Sequence, residues 1–284
     1  MAPEGPIRRH HAIELVERSM SLFLVTSRRT SRRVLECLGT IQRAALEFIY
    51  PPACLLCHSE IAHTVATALQ NLALCPDCRN KVAAQAGNSC RRCGAPVGPF
   101  TVADDHCILC RRENFAFDEV IRLGLYRDEL RIACLMAKNP SGSILGQTLA
   151  DLLVDARQSS FSAQAVDAVV PVPEHWVKRI VRRHYAAETL ARRISVRLKV
   201  RLATGILAKA RWTPKQAKSP PVQRRQQQKS AFRAVGTGLR GKTILLVDDI
   251  LTTGATADAA ARELKRAGAS RVIVAVIAVS PPRI

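Results

Sequence analysis

Residues 244–256 read Ile-Leu-Leu-Val-Asp-Asp-Ile-Leu-Thr-Thr-Gly-Ala-Thr and join an apolar run to a helical pattern. The run Thr243–Val247 predicts a fully buried strand, and Thr256–Ala267 predicts a helix. Two carboxylates, Asp248 and Asp249, follow the strand directly. Ligands of open α/β sheets bind beyond the carboxyl ends of the strands, so this segment predicts a parallel sheet with a ligand site at the ends of its strands.

The turn after the two acids has the composition of a phosphate-binding loop. Its backbone N–H groups and the positive end of the following helix dipole favour a bound phosphate, and its threonine hydroxyls can donate further hydrogen bonds. The residues predicted to bind phosphate are Thr252, Thr253, Gly254, Ala255 and Thr256. Since carboxylates accept O–H bonds, Asp248 and Asp249 suit a vicinal diol. A phosphate beside a diol predicts a ribose 5-phosphate ligand.

Alternating strands and helices fill the chain from Phe117 onward. Besides Thr243–Val247, the predicted strands are Val120–Tyr126, Val166–Val172, Thr204–Ala208 and Val272–Val279. Besides Thr256–Ala267, the predicted helices are Leu130–Ala137, Ile144–Arg157 and Glu188–Leu198. Residues 209–233 are polar, basic and rich in glutamine, which predicts irregular structure. The fold class that follows is α/β, with a doubly wound parallel sheet flanked by helices.

Eight of the ten cysteines form four C-x-x-C units. The units are Cys54/Cys57, Cys75/Cys78, Cys90/Cys93 and Cys107/Cys110. Each supplies half of a tetrahedral zinc shell, and the gaps of 17 residues between the first two units and 13 between the last two are close to those of Cys₄ zinc sites. We therefore predict two structural zinc ions. Sequential pairing of the units is the simplest assignment, and interleaved pairing, first with third and second with fourth, stays open.

The cysteine pattern also bears on the cellular compartment. A disulfide scaffold is disfavoured because such proteins lack a long, cysteine-poor α/β half. Free thiolates for zinc require a reducing environment, which predicts a cytoplasmic protein. Cys37 and Cys134 lie in apolar, helix-like stretches and are predicted to be buried small hydrophobes. No apolar run approaches the ~18 residues of a membrane span, so no transmembrane segment is predicted.

Residues 244–256 resemble the phosphoribosyl-pyrophosphate signature of type I phosphoribosyltransferases. With four C-x-x-C units ahead of that signature, the chain resembles the ComF family, whose members combine an N-terminal double zinc ribbon with a phosphoribosyltransferase domain. The resemblance covers roughly residues 35–280. Further matching pieces are Pro51-Pro52 before Cys54, the stretch from Tyr126 to Lys138, Val170-Pro171-Val172-Pro173 with His175, Arg211 with Thr213 and Gln216, Arg224-Arg225 and Ala231-Phe232.

The resemblance implies a parallel sheet of the phosphoribosyltransferase type and a substrate, phosphoribosyl pyrophosphate, bound with Mg²⁺. It implies that residues 209–233 correspond to a loop that closes over the reaction centre. It also implies a link to DNA uptake in competent bacteria and a protein partner in the competence machinery. The residues that it nominates for pyrophosphate are Val172, Pro173, Glu174 and His175.

One departure from the family concerns an Asn-Gln pair that commonly follows the arginines after the Val-Pro-Val-Pro loop. Here the corresponding region contains His184, Tyr185 and Ala186 instead. The asparagine that usually precedes the Ala-Phe motif is likewise replaced, within the glutamine run 226–228. If these amides recognise the acceptor base or hold the loop, substrate choice differs in this chain. Nothing in the sequence marks a purine or a pyrimidine as the acceptor.

Three regions are predicted along the chain. Residues 1–33 carry clustered arginines and form a loose basic extension. Residues 34–112 combine a helix, whose apolar residues repeat with helical period over 34–49, with the double zinc ribbon. Residues 117–284 form the phosphoribosyltransferase domain.

The positive charge is concentrated in one stretch. The chain has 43 Lys+Arg against 23 Asp+Glu, a net charge of +20, and residues 175–233 hold 17 of the basic residues with a single acid, Glu188. This pattern predicts a polyanionic ligand. A few cations would bind phosphoribosyl pyrophosphate, so the surplus also predicts single-stranded DNA as a partner, with Trp176, Tyr185 and Trp212 as stacking faces. On the helix Glu188–Leu198, the arginines Arg192, Arg193 and Arg197 are expected on a solvent-exposed face.

Two functions of different classes follow. The first is an enzyme that transfers a phosphoribosyl group and supplies positioning and charge stabilisation at C1 of the ribose. The second is a catalytically silent protein that keeps the phosphate pocket for handling single-stranded nucleic acid or sensing a ligand. The intact acidic pair favours the first, and the missing Asn-Gln pair favours the second. Lys138, Arg211 and Lys215 are weaker site candidates, for which a solvated surface charge is the simpler interpretation.

Overall fold

The computed structural model describes residues 53–61, 73–84, 86–98, 107–174, 186–209, 232–235 and 238–281. All of these residues belong to one compact unit. Several predicted features lie outside the described residues and stay predictions: the extension 1–33, the helix 34–49, Cys37, His175, Trp176, His184, Tyr185, Arg211, Trp212 and Lys215.

Seven strands lie among the described residues. They are β1 (Glu119–Leu125), β2 (Ala168–Pro171), β3 (Arg201–Leu202), β4 (Leu207–Lys209), β5 (Phe232–Ala234), β6 (Thr243–Leu251) and β7 (Arg271–Val279). Five of them form a parallel sheet in the order β1-β7-β6-β2-β3, whereas β4 and β5 pair with each other in antiparallel fashion. Strand β7 is buried from Val272 to Val279, as expected for a strand covered on both faces. The predicted α/β class with a parallel sheet is confirmed.

The helices among the described residues pack around this sheet. They are α1 (Pro76–Ala83), α2 (Asp128–Ala137), the 3₁₀ turn Pro140–Gly142, α3 (Ser143–Ala156), α4 (Gln158–Ser162), α5 (Ala186–Leu198) and α6 (Ala255–Arg266). Helix α6 has Asp258 in its first turn and two basic residues in its last turn, which complements the helix dipole. None of these described helices is both long enough and apolar enough to cross a bilayer.

The two faces of the sheet carry separate hydrophobic cores because successive side chains of a strand point to opposite sides. On one face, Leu245 of β6 belongs to the same buried cluster as Leu153 of α3 and Leu190 of α5. On the other face, Leu246 of β6 clusters with Leu264 of α6. The helix that follows β2 therefore packs on one face, and the helix that follows β6 packs on the opposite face.

The cysteine-rich segment is packed onto the α/β domain. Leu74 and Val82 from its first half lie in the same buried cluster as Ile121 of β1. Its second half covers the free edge of β1, where the Val120 amide donates to the carbonyl oxygen of Arg91 at 2.7 Å. An uncovered edge strand would expose unpaired amides and carbonyls, so this contact protects the sheet as well as joining the two parts.

Four details of the predicted elements were wrong. Strand β6 continues to Leu251 instead of ending at Val247, because β7 supports it by hydrogen bonding past the two acids. The strand predicted at 204–208 begins at Leu207, and Arg201–Leu202 forms a strand of its own. Residues 209–233 are not irregular at their ends, since Lys209 pairs with Phe232. The short helices α1 and α4 were not predicted, because neither shows a full apolar period.

Candidate functional site

The strand topology creates a crevice at the carboxyl ends of β2 and β6. These two strands are parallel neighbours, with Pro171 opposite Val247, and the Val172 amide donates to the carbonyl oxygen of Val247 at 2.9 Å. Their following helices lie on opposite faces of the sheet. Connections that diverge in this way leave a cleft between them, which is where open α/β sheets bind their ligands.

The two acids lie in the carboxyl-terminal half of β6, at this crevice. The Asp249 amide donates to Oδ1 of Asp248 at 2.9 Å, and the Ile250 amide donates to Oδ1 of Asp249 at 2.7 Å. Both carboxylates are partly buried. Asp249 also forms an ion pair with Lys138, whose Nζ lies 3.0 Å from Oδ2 of Asp249. The pair of acids is thus held rigid by its own backbone and joined to one cation.

Burial and the charge of Asp249 raise the pKa of Asp248 well above its ordinary value, and the charge of Lys138 opposes part of that rise. Burial alone would lower the pKa of Lys138, but the charge and hydrogen bond of Asp249 outweigh it and raise that pKa. Lys138 therefore remains an ammonium ion. Asp248 is the carboxyl group of the pair that more readily keeps a proton.

The interpretation of Lys138 as a solvated surface charge was wrong. This lysine ends α2, far from Asp249 in sequence, and the neighbouring turn brings the two together. The 3₁₀ turn after α2 is tight: a Cβ on Gly142 would lie 2.2 Å from the carbonyl oxygen of Met136, so only glycine fits there. No motif signalled this contact, because sequence spacing carries no information about which strand end a helix end will meet.

Replacing Lys138 with methionine is expected to destabilise the protein by about 1 kcal/mol at pH 7, because Asp249 then lies beside Asp248 without a cation. In a double-mutant cycle with Asp249→Asn, measured by urea unfolding, the coupling should also be about 1 kcal/mol. Lys81→Met removes an exposed lysine of α1 and is the matched control. A coupling no larger than that between Lys81→Met and Asp249→Asn would contradict a functional ion pair.

The predicted phosphate loop lies between β6 and α6. Gly254 caps the helix with φ +76°, in the left-handed region that glycine adopts without steric cost. A Cβ at this position would also approach Cε1 of Phe115 to 3.1 Å. Thr252 and Thr253 are exposed, whereas Ala255 and Thr256 are partly buried in the first turn of α6. The Ala255 amide contacts Oγ1 of Thr253 at 3.5 Å. The start of a helix favours a bound anion in general, so the phosphate-binding role of this loop stays a prediction.

Residues 114–117 support this loop, a role that the sequence did not indicate. The rings of Phe115 and Phe117 stack with centroids 4.6 Å apart beneath Gly254. The Ala116 amide donates to Oδ1 of Asp258 in α6 at 2.6 Å. The guanidinium of Arg92, from the cysteine-rich segment, donates to the carbonyl oxygens of Phe115 and Phe117. A continuous set of contacts therefore runs from this segment to the start of α6.

The segment nominated for pyrophosphate extends from the end of β2. The side chain of Val172 is buried, so only its backbone can reach a ligand. Pro173 and Glu174 are partly exposed. The carboxylate of Glu174 would repel pyrophosphate unless a cation lay between them. The Val172 amide already donates to Val247 and Pro173 has no N–H, so neither residue offers pyrophosphate a backbone donor.

The cysteines form two tetrads, Cys54/Cys57/Cys75/Cys78 and Cys90/Cys93/Cys107/Cys110, and within each tetrad all four sulfur atoms lie within 4.8 Å of one another. Tetrahedral zinc with Zn–S bonds of about 2.3 Å requires S···S distances of about 3.8 Å. The Sγ atoms of Cys57 and Cys75 are 3.6 Å apart, and those of Cys90 and Cys110 are 3.8 Å apart. The tetrads fit two structural zinc ions. They also settle the pairing as sequential.

Each tetrad begins with the same backbone turn. The His58 amide donates to the carbonyl oxygen of Cys54 at 2.9 Å, and the Gly94 amide donates to that of Cys90 at 2.8 Å. His58 and Gly94 both have positive φ, 60° and 74°. Cys134 is buried, as predicted, and burial raises the pKa of its thiol to about 12.

Of the arginines predicted on a solvent-exposed face of α5, Arg192 and Arg197 are exposed and Arg193 is partly buried, and all three pair with acids. Arg193 donates two hydrogen bonds to the buried carboxylate of Asp151 in α3, at 2.8 and 2.9 Å. Arg197 bridges Asp151 and Asp155, and Arg192 pairs with Glu188. The pattern of charges on one helix could not show the acids on its neighbour. Arg193 and Arg197 hold α5 on α3, whereas Arg192 pairs within α5, and all three supply little free charge to a ligand.

Comparison with known proteins identifies both parts of the chain. The double zinc ribbon domain family matches residues 45–112, and the phosphoribosyl transferase domain family matches residues 184–283. The chain is 26% identical to "Competence protein F" of Haemophilus influenzae over 71% of this chain and 88% of that protein. It is 27% identical to "DNA utilization protein YhgH" of Salmonella typhi over 79% of this chain and 95% of that protein.

Among solved structures, the chain is similar to the glutamine phosphoribosylpyrophosphate amidotransferase of B. subtilis, at 21% identity and a TM-score of 0.34. The overlap covers 50% of this chain and 28% of that longer enzyme.

Proposed function

Because the chain belongs to the ComF family, in which a double zinc ribbon precedes a phosphoribosyltransferase domain, we propose that it binds phosphoribosyl pyrophosphate, or a related ribose 5-phosphate, and transfers the phosphoribosyl group. The observation that carries this proposal is the arrangement at the end of β6. A rigid pair of carboxylates is followed within a few residues by a glycine-capped helix start at a crevice between diverging helices.

Each group in the crevice has a separate task in this proposal. Asp248 and Asp249 accept hydrogen bonds from the two ribose hydroxyls. Residues 252–256 hold the 5-phosphate through backbone amides and threonine hydroxyls. The segment from Val172 and Pro173 to Glu174 and His175 receives the pyrophosphate, which His175 and a cation at Glu174 would contact. Fixing both ends of the substrate in this way leaves C1 of the ribose exposed to an acceptor, so the main contribution to catalysis is positioning.

Magnesium is part of the proposal because it would neutralise the pyrophosphate as that group departs. Oxygen ligands suit this ion, and the carboxylates at the crevice are Glu174, Asp248 and Asp249. Glu174 is the candidate for holding the magnesium–pyrophosphate end, since a bridging cation would turn its repulsion into attraction. Lys138 supplies a fixed positive charge on the ribose side.

A role in DNA uptake, with a protein partner in the competence machinery, is the biological part of the proposal. It is supported by the names of the relatives "Competence protein F" and "DNA utilization protein YhgH". A cytoplasmic location is proposed from the eight thiols that are free to bind metal. Single-stranded DNA remains a proposed partner because residues 175–233 still carry a large basic surplus after the three ion-paired arginines of α5 are set aside.

Isothermal titration calorimetry with phosphoribosyl pyrophosphate and Mg²⁺ tests the binding step. We expect saturable binding with one site per chain, and pyrophosphate release when the correct acceptor base is added from a panel of purines and pyrimidines. Binding without release for any base would favour the catalytically silent alternative. The absence of any binding heat would contradict the proposed function itself.

Titration of a labelled single-stranded oligonucleotide tests the DNA part separately. Contacts with phosphates release counterions, so the affinity should fall steeply between about 50 and 200 mM salt. An affinity that does not change with salt would argue against a nucleic-acid role for residues 175–233, whatever the result with phosphoribosyl pyrophosphate.

A further inference from the structure

A second polar pocket lies far from the crevice in the fold, where the second zinc ribbon meets the edge of the sheet. It has a volume of about 190 Å³, roughly that of six water molecules. The polar residues that line it include Asn88, Ser89, Arg91, Arg122, Arg157 and Ser160. This set is rich in hydrogen-bond donors, and none of its members takes part in the proposed phosphoribosyl transfer.

Arg122 is the unusual member of this set. Its side chain is 1% exposed, which is rare for an arginine that has no acidic partner. Nη2 donates to the carbonyl oxygen of Asn88 at 3.2 Å, whereas Nε and Nη1 are shielded from solvent and have no hydrogen-bond partner among the described residues. Leaving two donors of a buried cation unpaired is costly, so a group that accepts from both would be favoured at this position.

The neighbouring cation adds to the positive charge of the pocket. Arg157 donates only to carbonyl oxygens, those of Arg122, Ala86 and Gly87, and among the described residues it forms no ion pair. Burial and the charge of Arg157 lower the pKa of Arg122 to about 10, which leaves both guanidinium groups charged at neutral pH. A buried cation, Arg122, and a partly buried one, Arg157, therefore line one cavity without an acidic partner among the described residues.

One acid also lines the pocket, and its charge is already balanced. Oε2 of Glu119 accepts hydrogen bonds from Arg91 at 3.2 Å, from Arg271 at 2.8 Å and from Gln164 at 3.0 Å. Glu119 therefore has two cationic partners of its own. It is not available to neutralise Arg122 and Arg157.

We propose that this pocket binds a phosphate group, that the guanidinium of Arg122 turns its unpaired Nε and Nη1 donors toward that phosphate, and that the charge of Arg157 also holds it. A tetrahedral oxyanion offers several acceptor lone pairs, and a guanidinium can bind two of its oxygens side by side. The bound phosphate would link the second ribbon, through Asn88, to strand β1. The inference does not depend on the proposed transferase function, because it involves none of the same residues.

The test compares Arg122→Met with Arg131→Met, which removes an exposed arginine from α2 as the matched control. In phosphate-free buffer, Arg122→Met should melt at the same temperature as wild type or higher, since it removes a buried unpaired cation. Added phosphate should then stabilise wild type and Arg131→Met more than Arg122→Met. By calorimetry, the phosphate affinity of the pocket should fall by about 10- to 100-fold in Arg122→Met.

Phosphate bound at the crevice does not confuse this comparison, because Arg122→Met leaves the crevice intact and the control variant reports its contribution. Equal responses to phosphate in Arg122→Met and Arg131→Met would overturn the proposal. If Arg122→Met fails to fold, Arg122→Lys keeps the charge with a single donor group and should show an intermediate affinity; an affinity equal to that of wild type would also overturn it.

Crystals soaked in selenate give an independent readout that depends on position. An anomalous peak within hydrogen-bond distance of Nε or Nη1 of Arg122 is expected in wild type. A peak only at the start of α6, with none near Arg122, would contradict the inference. Repeating the titration with thymidine 5′-monophosphate distinguishes a site for free phosphate from a site that accepts a phosphate carried by a larger molecule. If Arg122→Met binds both anions as tightly as wild type does, the proposed site is wrong.

Discussion

Replacing Asp248 with asparagine is expected to stabilise the protein at neutral pH while weakening the binding of phosphoribosyl pyrophosphate by roughly 10- to 100-fold. The two effects have one cause. Asp248 is held at the end of β6, where burial and the charge of Asp249 oppose its ionisation and raise its pKa. Asparagine removes that cost, but it also removes a charged acceptor that the proposed site uses for a ribose hydroxyl.

The effect on stability has a defined dependence on pH. Because the pKa of Asp248 is raised in the folded protein, the folded state holds the proton more tightly than the unfolded chain. The contribution of Asp248 to stability is therefore full below about pH 4, the ordinary value of an unfolded aspartate, and it is lost as the pH rises through the folded pKa. The melting temperature of Asp248→Asn should exceed that of wild type by a margin that grows over this range.

Thermal unfolding between pH 4 and 8 measures this margin, and calorimetry at pH 7 measures the affinity. Asp128→Asn is the control: Asp128 is exposed and has φ +47°, a conformation that asparagine tolerates well. A margin that stays constant with pH would show that Asp248 is not a strained carboxyl group. Unchanged affinity for phosphoribosyl pyrophosphate would remove Asp248 from the ribose site.

The sequence predicts those parts of the structure whose determining residues all lie within one short segment. The aliphatic runs of β6 and β7 predict buried parallel strands because both faces of such strands must be apolar. The segment after β6 contains its own acids, glycine and helix start, so the candidate phosphate site could be read without knowing the fold. The C-x-x-C units predicted metal sites in the same way, although the likeness of the four units left their pairing open.

The remaining features depend on contacts between distant segments. Lys138 meets Asp249 only because α2 ends at the carboxyl edge of the sheet. Arg193 is withdrawn from solvent by Asp151 on another helix, so a pattern typical of an exposed face became an interhelical ion pair. In the sequence, Arg122 is an ordinary polar residue in an apolar strand. Only the fold shows that Nε and Nη1 have no hydrogen-bond partner among the described residues where the second ribbon covers the edge of β1. Local periodicity contains none of this information.

Removing the second zinc ion is expected to weaken the proposed substrate site as well as the fold, whereas removing the first should mainly lower stability. The second tetrad holds the turn that contains Arg92, and Arg92 binds the carbonyl oxygens of Phe115 and Phe117. Those rings pack against Gly254 at the phosphate loop. The first tetrad makes no such contact among the described residues; its module instead contributes Leu74 and Val82 to the core.

The variants Cys54→Ser/Cys57→Ser and Cys107→Ser/Cys110→Ser test this difference with matched chemistry, since each removes one C-x-x-C unit. Metal analysis should give about two zinc ions per chain for wild type and about one for either variant. Both variants should melt about 10 °C lower, because a structural zinc ion contributes its binding energy to folding. Only Cys107→Ser/Cys110→Ser should bind phosphoribosyl pyrophosphate at least about tenfold more weakly. Without the second zinc ion, Arg92 no longer holds the carbonyl oxygens of Phe115 and Phe117. The two rings then no longer support the left-handed turn at Gly254. Equal affinities in the two variants would mean that the ribbons stabilise the fold without positioning the phosphate loop.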